Sequence, residues 1–124
     1  MRRYSDVTGH ALMMPGHGLE FWQSKLRYEN QEELMAVARE YKRRDIPIDV
    51  IVCDYFHWPL QDDWDWDTTA WPNPESMAKE PETMKIKLIV SVWPTVDKRS
   101  RSFSEMVERG YLVHVDCGIH TTRD

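Results

Sequence analysis

The residues best suited to chemistry lie in one stretch, VIVCDYFHWPLQDDWDWD, which occupies positions 50–67. Four apolar residues, Val50, Ile51, Val52 and Cys53, run straight into Asp54. Period-two alternation places Val50, Val52 and Asp54 on one face of a strand and Ile51 with Cys53 on the other. If Val52 faces the centre of a barrel, Asp54 does too, and a carboxylate there can accept two strong hydrogen bonds, as a pair of sugar hydroxyls would offer. The plainer reading is a strand-end aspartate that caps the loop after it. Asp63, Asp65 and Asp67 have the 1, 3, 5 spacing of a calcium loop, but the sixth and twelfth positions hold Thr68 and Pro74 where such a loop needs glycine and glutamate. No metal is expected, and the three carboxylates read as solvated, pairing with nearby Lys or Arg.

Trp58, Trp64, Trp66 and Trp71 fall in or beside the same loop, and Trp93 stands at the end of the next apolar run. Flat aromatic faces pack against the C–H surfaces of sugar rings while carboxylates bind the hydroxyls, so carbohydrate is the leading ligand class. Against it stands the simpler view that the rings pin a long loop. His57 is the one histidine near this region; His10, His17, His114 and His120 show no ligand or triad spacing. Neither a serine nucleophile elbow nor a cofactor fingerprint is present, and no cofactor is expected.

These side chains need a frame, and its elements are legible. A short aromatic strand is expected over residues 19–23. Asn30 as cap with Glu33 three residues on opens a helix whose stripe is Leu34, Val37, Ala38 and Tyr41, and which ends at Lys42, Arg43, Arg44 and Pro47. A strand follows over 48–53. After the long loop, Asn73 and Pro74 mark a second helix start. A strand over 86–92, a short helix around Phe103, Met106 and Val107 stopping at Gly110, and a fourth strand over 111–115 complete the pattern. Such strand–helix alternation is the signature of crossover units building a parallel sheet. The first turn, FWQSKLRYEN, has no glycine, which excludes a dinucleotide-binding sheet. The (β/α) barrel remains, with its chemistry at the strand C-termini. A complete barrel takes about 250 residues, so these 124 would supply less than half of one.

A chain of this length holds one core. Its formal charge of −5 argues against a polyanion, so nucleic acid is not an expected partner. With 41% apolar and 30% charged residues, a globular chain is expected and disorder is not. No apolar run reaches the length of a signal core or a membrane span. Two cysteines without a CxxC spacing fit a reducing, cytoplasmic setting.

Several linked motifs now carry a resemblance. FWQSKLRYENQEELMAVAREYKRRDIPIDVIVCDYFHW, then DWDWD and WPNPESM, then KLIVSVWPTVD and ERGYLV, with the lead-in RRYSDVTGHALMMP, together resemble glycoside hydrolase family 31, in particular its α-xylosidase-like and α-glucosidase-like members. The resemblance implies a retaining α-glycosidase on a (β/α)8 barrel, in which one aspartate attacks the anomeric carbon and another serves as acid and then base, the two about 5–5.5 Å apart. In the family both follow later strands, past Asp124, so no catalytic residue is expected here and the isolated chain is expected to be inactive. By the same resemblance Asp54 matches the strand-two aspartate that holds hydroxyls of the sugar beside the cleaved bond. Tyr55 and Phe56 match adjoining pocket positions, and Arg27 and Trp93 line the same pocket.

The implied organisation is a lead-in over residues 1–18 and, over 19–124, the first three to four βα units of the barrel. The implied partner is an α-linked oligosaccharide or glycoside. There are departures: Gly16-His17 and Glu20 around the first strand, Ser91 where many members carry tryptophan, Pro81 inside the second helix, and Lys85 where a glycine usually ends it. A truncated piece, with outer edges unpaired and open to self-association, is the expectation. The alternative is a non-catalytic carbohydrate-binding or interaction protein that uses the Trp and Asp loop.

Overall fold

A computed structural model of the chain describes residues 2–61 and 63–113. A lead-in helix α1 (Arg2–Thr8) and a single 3-10 turn (Gly16–Gly18) precede β1 (Trp22–Gln23), α2 (Gln31–Arg43), β2 (Val50–Cys53), α3 (Pro74–Thr83), β3 (Lys87–Val90) and α4 (Phe103–Glu108). Among the described residues the strands form one parallel sheet in the order β1-β2-β3, as the first units of a barrel require. Every strand is shorter than its expected span. β1 loses its start to bends after the 3-10 turn, although the Phe21 carbonyl still accepts from the Asp49 and Val50 N–H groups at 3.1 and 3.3 Å. Beyond β3 the ladder runs on by one bond, Ser91 N–H to the Cys53 carbonyl at 3.0 Å. Residues 111–113 lie in no strand. The rest of the expected fourth strand, including His114, lies outside the described residues, as do Cys117 and His120.

α2 starts as its sequence asks, with the Asn30 side chain accepting from the Glu33 N–H at 2.9 Å. The reciprocal bond is displaced by one residue, because the Glu33 carboxylate accepts from the Glu29 N–H at 2.7 Å rather than from that of Asn30. Leu34, Met35 and Ala38 are buried, with Val37 and Tyr41 packed at the margin. The apolar stripe is therefore centred nearer Met35 than the expected set. α3 is capped by Asn73, whose side chain accepts from the Ser76 N–H at 3.0 Å, and begins with Pro74. Arg39 of α2 reaches both carboxylate oxygens of Glu80 on α3, at 2.6 and 3.0 Å.

Helices α2, α3 and α4 end in the same device. The residue after the cap takes a positive φ and two bonds close the turn: Asp45 (φ 54), with Ile46 N–H to the Tyr41 carbonyl; Lys85 (φ 60), with Ile86 N–H to the Pro81 carbonyl; and Gly110 (φ 67), with Tyr111 N–H to the Met106 carbonyl. This is the paired-bond C-terminal motif that usually selects glycine. Lys85 thus sits in the left-handed conformation expected for the family's glycine. Pro81 lacks a donor for the helix, yet it is fully buried and its carbonyl anchors the closing turn.

The core lies on the helix side of the sheet, where Ile51 and Cys53 of β2 join Leu34, Met35, Ala38, Met77, Ile86 and Trp71. Val52, pointing the opposite way along the pleat, is only half-buried and outside that cluster. No helix among the described residues is long and apolar enough to cross a membrane.

Candidate functional site

Parallel strands deliver their following loops to one edge of the sheet, and the loops after β1, β2 and β3 meet there. The Arg27 guanidinium lies 4.9 Å from the Phe56 ring centroid. Phe56 stands edge-on to Tyr55 at 4.1 Å, and Tyr55 lies 5.7 Å from Trp93. Four of the five residues singled out from the sequence therefore touch in one line drawn from three loops. Asp54 stands half-buried at its root. Among the described residues its carboxylate has no hydrogen-bond or ion-pair partner.

Two consecutive non-glycine residues, Tyr55 (φ 51) and Phe56 (φ 58), adopt the left-handed conformation. Each costs about 1–3 kcal/mol and persists only where the surroundings over-determine it. Here the surroundings are a run of rings. Trp71, fully buried, packs on Trp66 at 5.7 Å, Trp66 on His57 at 5.0 Å, His57 on Trp58 at 4.4 Å, and Trp58 on Tyr55 at 5.9 Å. The Asp67 N–H closes the loop onto the His57 carbonyl at 2.9 Å. The turn after β2 is thereby held from the core outward, and Tyr55 and Phe56 are swung to the rim.

Electrostatics place Asp54 against this framework. Burial, and secondarily the Asp54 charge, push the Cys53 thiol up to about 12, which leaves it protonated and inert. Burial lowers the His57 imidazole below its ordinary value, with Asp54 opposing. His57 is thus a neutral packing element, and its Nδ1 has no partner among the described residues.

The aspartate loop differs from expectation. Asp63 is buried rather than solvated, accepting from the Ser100 hydroxyl at 2.7 Å and the Trp64 N–H at 2.9 Å. Asp65 pairs with Arg101 at 2.9 Å, as a loop carboxylate near an arginine should, and Asp67 accepts from the Thr69 N–H at 2.9 Å. The three carboxylates serve three different partners. Of the loop tryptophans, Trp58 and Trp71 are buried, Trp66 packs against the core, and Trp64 alone is mostly exposed. Its indole N–H donates to the Trp93 carbonyl at 3.2 Å. Ser100 and Arg101 were not marked by any sequence signal, since their partners lie 36 or more positions away.

A parallel βα sheet with an aromatic and acidic rim at its strand C-termini defines part of a barrel-type domain. The sequence profile of the glycosyl hydrolases family 31 TIM-barrel domain matches residues 11–123, and the chain belongs to that family. It is 46% identical over 123 residues to an uncharacterized family 31 glucosidase of Pseudescherichia vulneris, covering 99% of this chain and 23% of that protein. It is 36% identical over 116 residues to an alpha-xylosidase of Saccharolobus solfataricus, covering 91% of this chain and 16% of that one. A GH31 alpha-xylosidase from a soil metagenome, solved with xylose, superposes with a TM-score of 0.85 at 54% identity over 96% of this chain and 18% of its own. The chain therefore spans less than a quarter of the length of the curated relatives it matches.

Proposed function

We propose that this chain supplies part of the glycone-binding wall of a retaining α-glycosidase of the α-xylosidase or α-glucosidase type. The observation that carries the reading is the line Arg27, Phe56, Tyr55 and Trp93, assembled from three successive strand ends with Asp54 at its root, its carboxylate without a partner among the described residues. Asp54 accepts hydrogen bonds from two sugar hydroxyls, and the rings cover a C–H face of the sugar. The soil-metagenome relative solved with xylose lends weight to a pentose glycone. The nucleophile and the acid/base are assigned by family resemblance to strands that follow in a complete barrel. The isolated chain accordingly binds a glycone weakly and turns nothing over. A cytoplasmic setting fits Cys53, a buried free thiol, and self-association proceeds through the outer edges of β1 and β3.

The Trp and Asp loop as a freestanding sugar platform has less support, because three of its four tryptophans are engaged with the core. Calorimetric titration with xylose, glucose and short α-linked oligosaccharides, paired with an assay on aryl α-xyloside, tests the reading. Weak saturable binding without hydrolysis is the expected result. Turnover by the isolated chain, or tight binding that survives loss of Asp54, would overturn it.

A further inference from the structure

We infer that the alternating triplet Asp63-Trp64-Asp65 is a clamp that positions Trp93, and with it the wall that Trp93 and Tyr55 form. Three successive side chains of the loop after β2 reach the single segment between β3 and α4. Asp63 takes the Ser100 hydroxyl at 2.7 Å, Trp64 gives its indole N–H to the Trp93 carbonyl at 3.2 Å, and Asp65 pairs with Arg101 at 2.9 Å. The segment is held near both ends, at Trp93 and at Ser100 and Arg101.

The need for a clamp follows from where the sheet stops. β3 ends at Val90 and the ladder's last bond is made by the Ser91 N–H. Nothing in the sheet fixes Trp93, two residues further on, although Tyr55 stacks against it at 5.7 Å. Trp64 is 59% exposed, so burial does not hold it; its contribution is the directional N–H bond. Asp63 secures the base of the clamp, because a buried carboxylate deprived of the Ser100 donor carries a desolvation penalty. Ser100 in turn accepts from the Ser102 N–H at 3.1 Å, which orders the start of α4. These residues act through Trp93 and are positioning residues. The sugar-affinity part of this inference rests on the function proposed above; the geometric part does not.

The test uses the labelled chain in solution and reads two quantities, the ring-current shifts of the Tyr55 ring protons and the xylose dissociation constant. Trp64→Phe keeps a ring and deletes the donor. It is expected to move the Tyr55 shifts toward unstacked values and to raise the xylose constant about fivefold, with an unchanged circular dichroism spectrum. In the Trp93→Ala background, which keeps the accepting carbonyl, Trp64→Phe is expected to change the affinity no further. A general loss of structure would instead add to the first defect. Arg101→Gln cuts only an exposed ion pair, and is expected to shift Tyr55 the same way by less; it decides the matter if Trp64→Phe fails to fold. Unchanged Tyr55 shifts in the folded variants, or additive effects of Trp64→Phe and Trp93→Ala, would overturn the clamp. If the unmodified chain binds no xylose, the proposed function falls while the Tyr55 shifts still judge the clamp.

Discussion

The Arg27 guanidinium carbon stands 4.9 Å from the centroid of the Phe56 ring, joining the loop after β1 to the loop after β2. Phe56 is about half exposed, so the contact belongs to the solvated class, at about 0.5–1 kcal/mol. Arg27→Gln is therefore expected to lower the urea midpoint only slightly while releasing the Phe56 ring, and to weaken xylose binding two- to fivefold. Aromatic proton shifts and calorimetry on the same sample check both. A Phe56 resonance that ignores the substitution would show that the contact does not form in solution.

Asp54 carries the heaviest expectation at the rim. A hydrogen bond to a charged group contributes about 1.5–3 kcal/mol, so losing even one of two from a sugar pair reduces affinity by at least about tenfold. Asp54→Ala is expected to abolish measurable xylose binding by the isolated chain while leaving the core strand in place, since Ile51 and Cys53 face the helices. Retained binding in this variant would move the sugar site elsewhere.

The helix ends offer a stability series that leaves the rim alone. Lys85 occupies a left-handed position with φ 60, where a side chain costs about 1–2 kcal/mol, while glycine there adds about 0.5–1 kcal/mol of unfolded-state entropy. Lys85→Gly is expected to stabilise the chain by about 0.5–1 kcal/mol. Asp45→Gly should gain less, because aspartate tolerates this conformation better than lysine. Gly110→Ala, at φ 67 with no contact crowding its added methyl, should destabilise by about 1 kcal/mol through conformation alone. Urea unfolding of the three variants supplies the ranking, and a Lys85→Gly variant weaker than the parent would contradict it.

The helix caps, the parallel order and the strand that delivers Asp54 were legible because each rests on local chemistry: Asn30 and Asn73 accept from residues three positions on, and alternation along 50–54 sends Ile51 and Cys53 to the core. The turn after β2 was not. Neither Tyr55 nor Phe56 favours a positive φ, so the backbone there is set by tertiary packing through His57 and Trp66, which no local propensity encodes. Asp63 was misread for a related reason. It looks solvated beside its neighbours in sequence, yet it is buried and held by Ser100, 37 positions on, whereas Asp65 pairs with Arg101 as a loop carboxylate was expected to. Self-pairing at long range leaves no periodic trace.

His57 gives the fold its sharpest expected response to acid. Its imidazole is buried between Trp58 and Trp66, and burial lowers its pKa below the ordinary 6.5, with the Asp54 charge pulling the other way. A base whose pKa is lower folded than unfolded binds more protons in the unfolded chain, so its stabilising effect is complete above 6.5 and fades as pH falls below it. The carboxylate whose charge acts on the imidazole is that of Asp54, and Asp65, which lines the same hollow as His57, is already committed to Arg101. Unfolding free energy measured from pH 7.5 down to 5 is expected to decline below about 6.5, whereas His57→Phe should decline less over that range. Asp54→Asn removes the opposing charge, so its decline should continue to lower pH than that of the parent. Parallel stability curves for the parent and His57→Phe would show that the imidazole stays accessible to protons in the folded chain, and the packing account of the turn after β2 would fail with it.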